Sequence, residues 1–443
     1  MSNRIDNQRE YEIRDLIRKV SGFKNPAHPD FQQRREVLQS LIKLTQSPTA
    51  MLKMLAAHEI PQFFNNFADL EEDAINAIYD LCEDPESKVR IAGYLSIGRI
   101  SKIDRKWIKR NADVLIQLLQ SDEPTEAKKV REALVEHINL DAAVTLGVFC
   151  DQIIPSDEAT DEEEQALRVR LRELVLEFLK EKAHPILEQH VLPESDAEGV
   201  LLDRITKEIG GDHFHQLSQQ HVTVLVQDFL GRLQASPKLQ EATLKALYRR
   251  AEQCVLSKTS EAPNKALFYL DEAAALMGKQ GVTEQAAFLQ HAYQSLLRTS
   301  RGLPIDLRTS YVCRVVNYFS ILKISDGQSE VVGPIYEQLA SLSTMLLQSL
   351  LTEKKDSVKP TSRVPEACLV LLRAYRQHKT SNGPRVSLVT LLPYLKQIVE
   401  TQPFDADAAW PELQKLARVN HRGNLHFCSC PCPTNNLYFA FPF

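Results

Sequence analysis

Apolar residues along this chain recur every three or four positions, the spacing that lays a single stripe along a helix. Ile108, Ala112, Leu115 and Leu119 step by four, three and four, and Ala127, Val130, Leu134 and Ile138 repeat the rhythm. Clean alternation of polar and apolar residues, the signal of a half-buried strand, is hard to find. The pattern predicts an all-helical protein. In "AINAIYDLCEDPESKVRIAGYLSIGRI" (74–100) one stripe stops at Asp84-Pro85 and the next opens with Val89 and Arg90. "SDEPTEAKKVREALVEHI" (121–138) has the same polar, proline-containing start and then Val130-Arg131. "DEATDEEEQALRVRLRELVLEFL" (157–179) has an acidic start and then Leu171-Arg172.

The three aliphatic-arginine pairs lie 41 residues apart both times. A period of about 40–47 residues built from paired helices is the mark of HEAT and armadillo solenoids. Two amphipathic helices cannot cover each other's apolar faces alone, so neighbouring pairs stack into one continuous core. The break is the turn inside one such pair. Val89, Arg90, Val130, Arg131, Leu171 and Arg172 are therefore expected to line a structural seam between pairs. Each arginine is expected to reach an aspartate of a neighbouring pair. Asp84 and Asp122 stand just ahead of two of the helices, where an aspartate also caps.

The stripes continue along the chain. Residues 1–46 predict two helices separated by "GFKNPAHPD", and "AAHEIPQFFNNF" predicts an apolar helix that carries Pro61. "QASPK" (234–238) reads as a junction, since proline in a polar stretch stops a helix. The expected organisation is an α-solenoid with HEAT-like repeats over 1–235 and armadillo-like repeats over 236–420. An irregular tail over 421–443 follows, rich in cysteine, proline and aromatic residues and without helical period.

Composition sharpens this picture. Glycine is scarce, at 15 residues, which disfavours doubly wound folds that need it for phosphate turns. The formal net charge of −5 gives no general pull toward nucleic acid. No apolar run reaches the roughly 18–20 residues a membrane helix needs. The first residues lack the apolar core of a secretory signal, so a reducing compartment is expected. Cys82, Cys150, Cys254, Cys313 and Cys368 are scattered singly through helical pattern and read as buried thiols.

The chain carries no Walker loop, dinucleotide fingerprint, nucleophile elbow or HExxH. "HEIPQ" has Gln62 where a zincin helix has histidine, and a proline interrupts it. His213, His215 and His221 stand beside Asp212, but positions i and i+2 of a helix point to different sides, so a polar helix start with solvated histidines is the better reading. Cys428, Cys430 and Cys432, with His421 and His426, offer thiolates, but CxC spacing suits a zinc knuckle poorly and no second knuckle follows. The acidic run Asp157, Glu158, Asp161, Glu162, Glu163 and Glu164 complements a helix N-terminus, or docks a basic partner. Arg105, Lys106, Lys109 and Arg110 surround Trp107; a solvated face with the indole packed inward outweighs contact with phosphate. No catalytic residue, cofactor or metal site is expected.

"IPQFFNNFADLEEDAINAIYDLCEDPESKVR", "ADVLIQLLQSDEPTEAKKVREAL" and "LDAAVTLGVFCDQII" together resemble the apoptosis inhibitor 5 family, also called antiapoptosis clone 11. "DLCED" (80–84) and "LIQLLQSD" (115–122) follow the family's pattern closely. The resemblance implies a non-enzymatic scaffold, HEAT-like then armadillo-like, that binds other proteins and suppresses cell death. It implies nuclear residence beside RNA-processing, export and cell-death factors, the chromatin-condensation factor Acinus and a fibroblast growth factor. The chain departs from the family in three ways. Leu339 and Leu346 are seven apart but Glu353 breaks the leucine heptad. No basic nuclear-import segment is seen, and the arginine-glycine-rich tail is replaced by the cysteine-rich stretch. The expectation is a monomer in the nucleus, the cytoplasm or both, acting through protein partners. The alternative is a transport or RNA-export adaptor of karyopherin-like architecture.

Overall fold

The computed structural model describes residues 2–20, 31–154, 161–206, 209, 217–233, 236–256 and 262–277. These all fall in the first of two compact units, Met1–Lys279. The expected armadillo-like repeats beyond 277, the leucine heptad, Cys313, Cys368 and the tail with Cys428, Cys430 and Cys432 lie outside the described residues.

Among the described residues the chain is helical and holds no strand. α1 (Ser2–Val20) and α2 (Phe31–Leu44) precede α3 (Ala50–Phe63), α4 (Glu71–Cys82) and α5 (Ser87–Ile103). α6 (Ile108–Gln117), α7 (Pro124–Leu140), α8 (Ala142–Ile153) and α9 (Glu162–Phe178) follow. α10 (His184–His190), α11 (Asp196–Leu201), α12 (Gln219–Thr223), α13 (Pro237–Leu256) and α14 (Ala262–Met277) complete the unit. Successive helices pair as α2–α3, α4–α5, α6–α7 and α8–α9. α3, α5 and α7 then pack side by side in one layer, while α6, α8 and α11 do so in the other. This is the two-layer stacking of an α-solenoid.

Local chemistry explains the boundaries. Pro124 opens α7, where its missing N–H costs nothing. Asp141 accepts the Val144 N–H at 3.0 Å to cap α8, and Asp161 accepts the Glu164 N–H at 2.7 Å to cap α9. Asp161, Glu162, Glu163 and Glu164 of the acidic run thus serve a helix start, while Asp157 and Glu158 lie outside the described residues. Pro237 opens α13 rather than ending a helix. A π segment, Leu179–Ala183, joins α9 to α10 just before Pro185, which has no N–H to return to the Glu181 carbonyl.

The stripe residues form the core. Ile108, Ala112, Leu115 and Leu119 are buried, as are Val130, Leu134 and Ile138, while Ala127 is half-buried. Cys82, Cys150 and Cys254 are buried, and burial pushes the Cys150 thiol up to about 12. Two close approaches weld α5 to its neighbours. Pro61 in α3 leaves the Ala57 carbonyl without its usual donor four residues on. The Ser96 hydroxyl of α5, shared with its own Ala92 carbonyl, reaches the Ala57 carbonyl at 2.5 Å. Gly93 faces α4 so closely that a Cβ there would sit 2.8 Å from Cys82 Sγ and 3.3 Å from the Cys82 backbone nitrogen.

Alanine normally gains about 1 kcal/mol over glycine inside a helix. Here Gly93→Ala is expected to cost about 1–3 kcal/mol through overpacking, and less in a Cys82→Ala background. Denaturant unfolding of the four forms checks this; a stabilising Gly93→Ala contradicts the close approach.

Candidate functional site

The three pairs predicted for the seam all sit on the second helix of a helix pair: Val89 on α5, Val130 on α7, Leu171 on α9. All three aliphatic side chains are buried. Their arginines make different contacts. Arg90 grips Glu126 of α7 with two bonds, Nε to Oε2 at 3.0 Å and an Nη to Oε1 at 2.6 Å. It also donates to the carbonyls of Asp84 and Pro85 at 2.5 and 3.0 Å, in the break that precedes its own helix. Arg131 approaches Glu177 of α9 only to 3.8 Å. Arg172 is buried and donates through Nε to the Ile153 carbonyl at the end of α8, at 2.7 Å.

The acid that receives Arg90 is a glutamate in the first turn of α7, not an aspartate. Glu126 is only 1% exposed. It also accepts from the Tyr94 hydroxyl at 3.1 Å and the Ser121 hydroxyl at 3.2 Å. Arg90 first, helped by the Ser87 and Tyr94 hydroxyls, overcomes the burial penalty and holds the carboxyl down to about 2. A glutamate in a first turn also reads as a partner of the helix dipole, so nothing local in the sequence singles it out.

The two aspartates serve other ends than caps. Asp84 Oδ1 accepts the Glu86 N–H at 2.9 Å, and its Oδ2 meets Lys53 of α3 at 2.5 Å. Burial alone would raise the Asp84 carboxyl, but Lys53 and the Glu86 N–H hold it below the ordinary value. Asp122 is 92% exposed and pairs with Arg170 at 3.0 Å. Lys53–Asp84 and Arg90–Glu126 thus clamp α3, α5 and α7 in series across the break between α4 and α5.

The remaining candidates resolve into structural contacts. Trp107 is buried against Phe64. Lys106 pairs with Glu71 and Asp104, while Arg110 pairs with Glu72 and lies 5.2 Å from the Tyr79 ring centre. Glu59 of "HEIPQ" is buried and receives the Gln62 amide at 2.5 Å. His221 is buried rather than solvated, 3.5 Å from Glu173, in a helix start capped by Ser218; burial lowers its pKa. His213 and His215 lie outside the described residues. Among the described residues no three His, Cys, Asp or Glu side chains are placed to hold a metal ion, and no helix is long and apolar enough to cross a membrane. Apolar side chains left at the surface include Leu95 on α5 and Leu167 on α9, 47% and 56% exposed.

Removing one partner of a buried charge pair strands the other, at about 3–5 kcal/mol. Glu126→Ala and Arg90→Ala should each approach that loss, and the double variant should lose little more than either. Between about 2 and the ordinary carboxyl value of 4.5 the folded form binds fewer protons than the unfolded form at Glu126. Its contribution is therefore present above 4.5 and lost as pH falls toward about 2. Denaturant midpoints followed from pH 7 downward should show a shallower acid decline in Glu126→Gln.

Known proteins resemble this chain over part of its length. Apoptosis inhibitor 5 of chicken (Gallus gallus) is 33% identical over 164 residues, which is 37% of this chain and 29% of that protein. Apoptosis inhibitor 5-A of Xenopus laevis is 32% identical over 184 residues, 42% of this chain and 32% of that one. The human protein is 32% identical over 164 residues, 37% and 29%. The matched segment thus spans less than a third of the length of each of these relatives. Among solved structures, the RNA polymerase I transcription initiation factor Rrn3 superposes with a TM-score of 0.36 and 10% identity, covering 92% of this chain and 86% of that one, too loosely to carry an argument. The family model for apoptosis inhibitory protein 5 matches residues 20–297, more than half of the sequence, and the chain belongs to that family.

Proposed function

We propose that this chain is a non-enzymatic scaffold that binds other proteins along its stacked helix pairs and, in the cell, suppresses death. The observation that carries the reading is how the charged groups are used. The charged candidates at the seam and around Trp107 are largely taken up in clamps between helices, as in Arg90–Glu126, Lys53–Asp84 and Arg110–Glu72. What the unit offers outward is an extended helical surface with scattered apolar side chains such as Leu95 and Leu167. Such a surface suits recognition of macromolecules rather than turnover of a small substrate. The relatives' printed names support the link to cell death. Val89, Val130 and Leu171 with their arginines serve in this reading as the repeat seam that keeps the array in register. Partners drawn from RNA-processing or cell-death factors, a monomeric state and nuclear residence complete the proposal.

The test is affinity capture from lysate of the source cell with the full chain and with a chain ending at Val419. RNA-processing or cell-death factors on both forms are the expected result. Nuclear pore proteins or a small GTPase would replace the reading with a transport adaptor. Partners held by the full chain alone would move the function to the tail.

A further inference from the structure

One set of buried polar groups takes no part in the seam. Tyr79 of α4, Asn111 of α6, Ser101 of α5 and His137 of α7 form a single line of hydrogen bonds through the packed pairs. Ser101, Asn111 and His137 are all fully buried. The heavy-atom distances are 2.6 Å from Tyr79 Oη to Asn111 Oδ1, 2.8 Å from Asn111 Nδ2 to Ser101 Oγ, and 2.8 Å from Ser101 Oγ to His137 Nε2. His137 Nδ1 lies 2.8 Å from the Ala133 carbonyl.

The direction of every bond follows from its last acceptor. A carbonyl can only accept, so Nδ1 of His137 carries a proton. In the neutral ring Nε2 then bears the lone pair, and the Ser101 hydroxyl must donate to it. That hydroxyl has no second proton, so it accepts from the Asn111 amide. The Asn111 carbonyl oxygen accepts in turn from the Tyr79 hydroxyl. This set of directions, with Ser101 donating to the ring, holds only while His137 is neutral.

We propose that His137 is a proton-sensitive latch on the packing of α4 to α7. When Nε2 takes up a proton it becomes a donor facing a donor. Ser101 must turn its proton away, and a cation is left in the core without a carboxylate in contact. The charged groups that face the ring are Glu136 of its own helix, which pairs with Lys102 of α5 at 3.0 Å on the surface, and Lys102 itself. α4, α6 and α8 bring Tyr79, Asn111 and Thr145, none of them charged at neutral pH; the Thr145 hydroxyl donates to the His137 carbonyl at 3.1 Å. α10 brings His190, 3.3 Å from Asn139. Burial first, then Lys102, weigh against the cation, while the Ala133 carbonyl and Glu136 favour it, and the pKa falls below the ordinary 6.5. The sign is fixed by that direction: the neutral ring's contribution is complete above 6.5 and is lost as pH falls through the lower folded value. Mild acid should therefore loosen the central pairs before it attacks Glu126, whose carboxyl stays ionised down to about 2. The inference stands on packing alone and holds whichever partner the array binds.

The experiment is hydrogen exchange of the full chain at pH 7.5 and pH 5.0, corrected for the intrinsic pH dependence of exchange. The expected result is a several-fold loss of protection confined to peptides within residues 74–140, present in the unsubstituted chain and absent in His137→Gln. An unchanged pattern between the two pH values, or the same pH response in His137→Gln, overturns the latch. Should His137→Gln fail to fold, the imidazole resonance of His137 in the unsubstituted chain decides. A titration midpoint below 6.5 that coincides with the loss of protection supports the proposal; a midpoint at or above 6.5, or no coincidence, overturns it.

Discussion

The array depends on one buried carboxylate. Glu126 sits in the first turn of α7, out of water, and remains ionised because α5 and the turn before α7 surround it with donors. A carboxylate in that position would be strongly destabilising alone. Surrounded by Arg90, Tyr94, Ser87 and Ser121, it becomes a directional constraint that apolar packing cannot supply. Stacked amphipathic helices bury similar area in several registers. Arg90 can reach Glu126 and the Asp84 and Pro85 carbonyls together in only one of them. The break at Asp84-Pro85 therefore does two things: it ends α4, and it presents the carbonyls that hold Arg90 in place.

Other contacts repeat the logic with different chemistry. Pro61 frees a carbonyl in α3, and Ser96 of α5 takes it up. Gly93 removes a side chain where α4 and α5 approach most closely. The line from Tyr79 to His137 ties both layers through the core. Each device joins a helix to one in the next pair or the facing layer, so register is fixed locally and passes from pair to pair. Later in the unit the joint is looser: Arg131 stands 3.8 Å from Glu177, and Arg172 turns back to a carbonyl of α8. The spacing of 41 residues recurs in sequence without the same contact recurring in space.

Much of the fold could be read from the stripe. Ile108, Leu115, Val130 and Leu134 have the period of a helix face, and each is buried. The stop at Asp84-Pro85 matches the gap between Cys82 and Ser87, because proline interrupts a helix within a few residues. The partners of the seam were not legible. Glu126 lies 36 positions from Arg90, and nothing local separates it from an acid that merely faces solvent. His137, Ser101 and Asn111 did leave a trace, as polar residues set on otherwise apolar faces, three or four positions from Leu134, Ile97 and Leu115. Gly93 left none, since its meaning is the position of Cys82 across the turn. His221 reads as solvated because the stretch around it is polar, whereas it is buried, 3.5 Å from Glu173 of α9.

Through Arg90 and Glu126, neighbouring pairs are expected to behave as one cooperative unit. The most direct measurement is native-state hydrogen exchange of the full chain at rising denaturant, with and without Arg90→Ala. Amides of α3, α5 and α7 should open together in the unsubstituted chain, and in Arg90→Ala the α7 amides should open at a different free energy from those of α3 and α5. If all three helices still open as one unit without Arg90, the carboxylate is not what binds the pairs together.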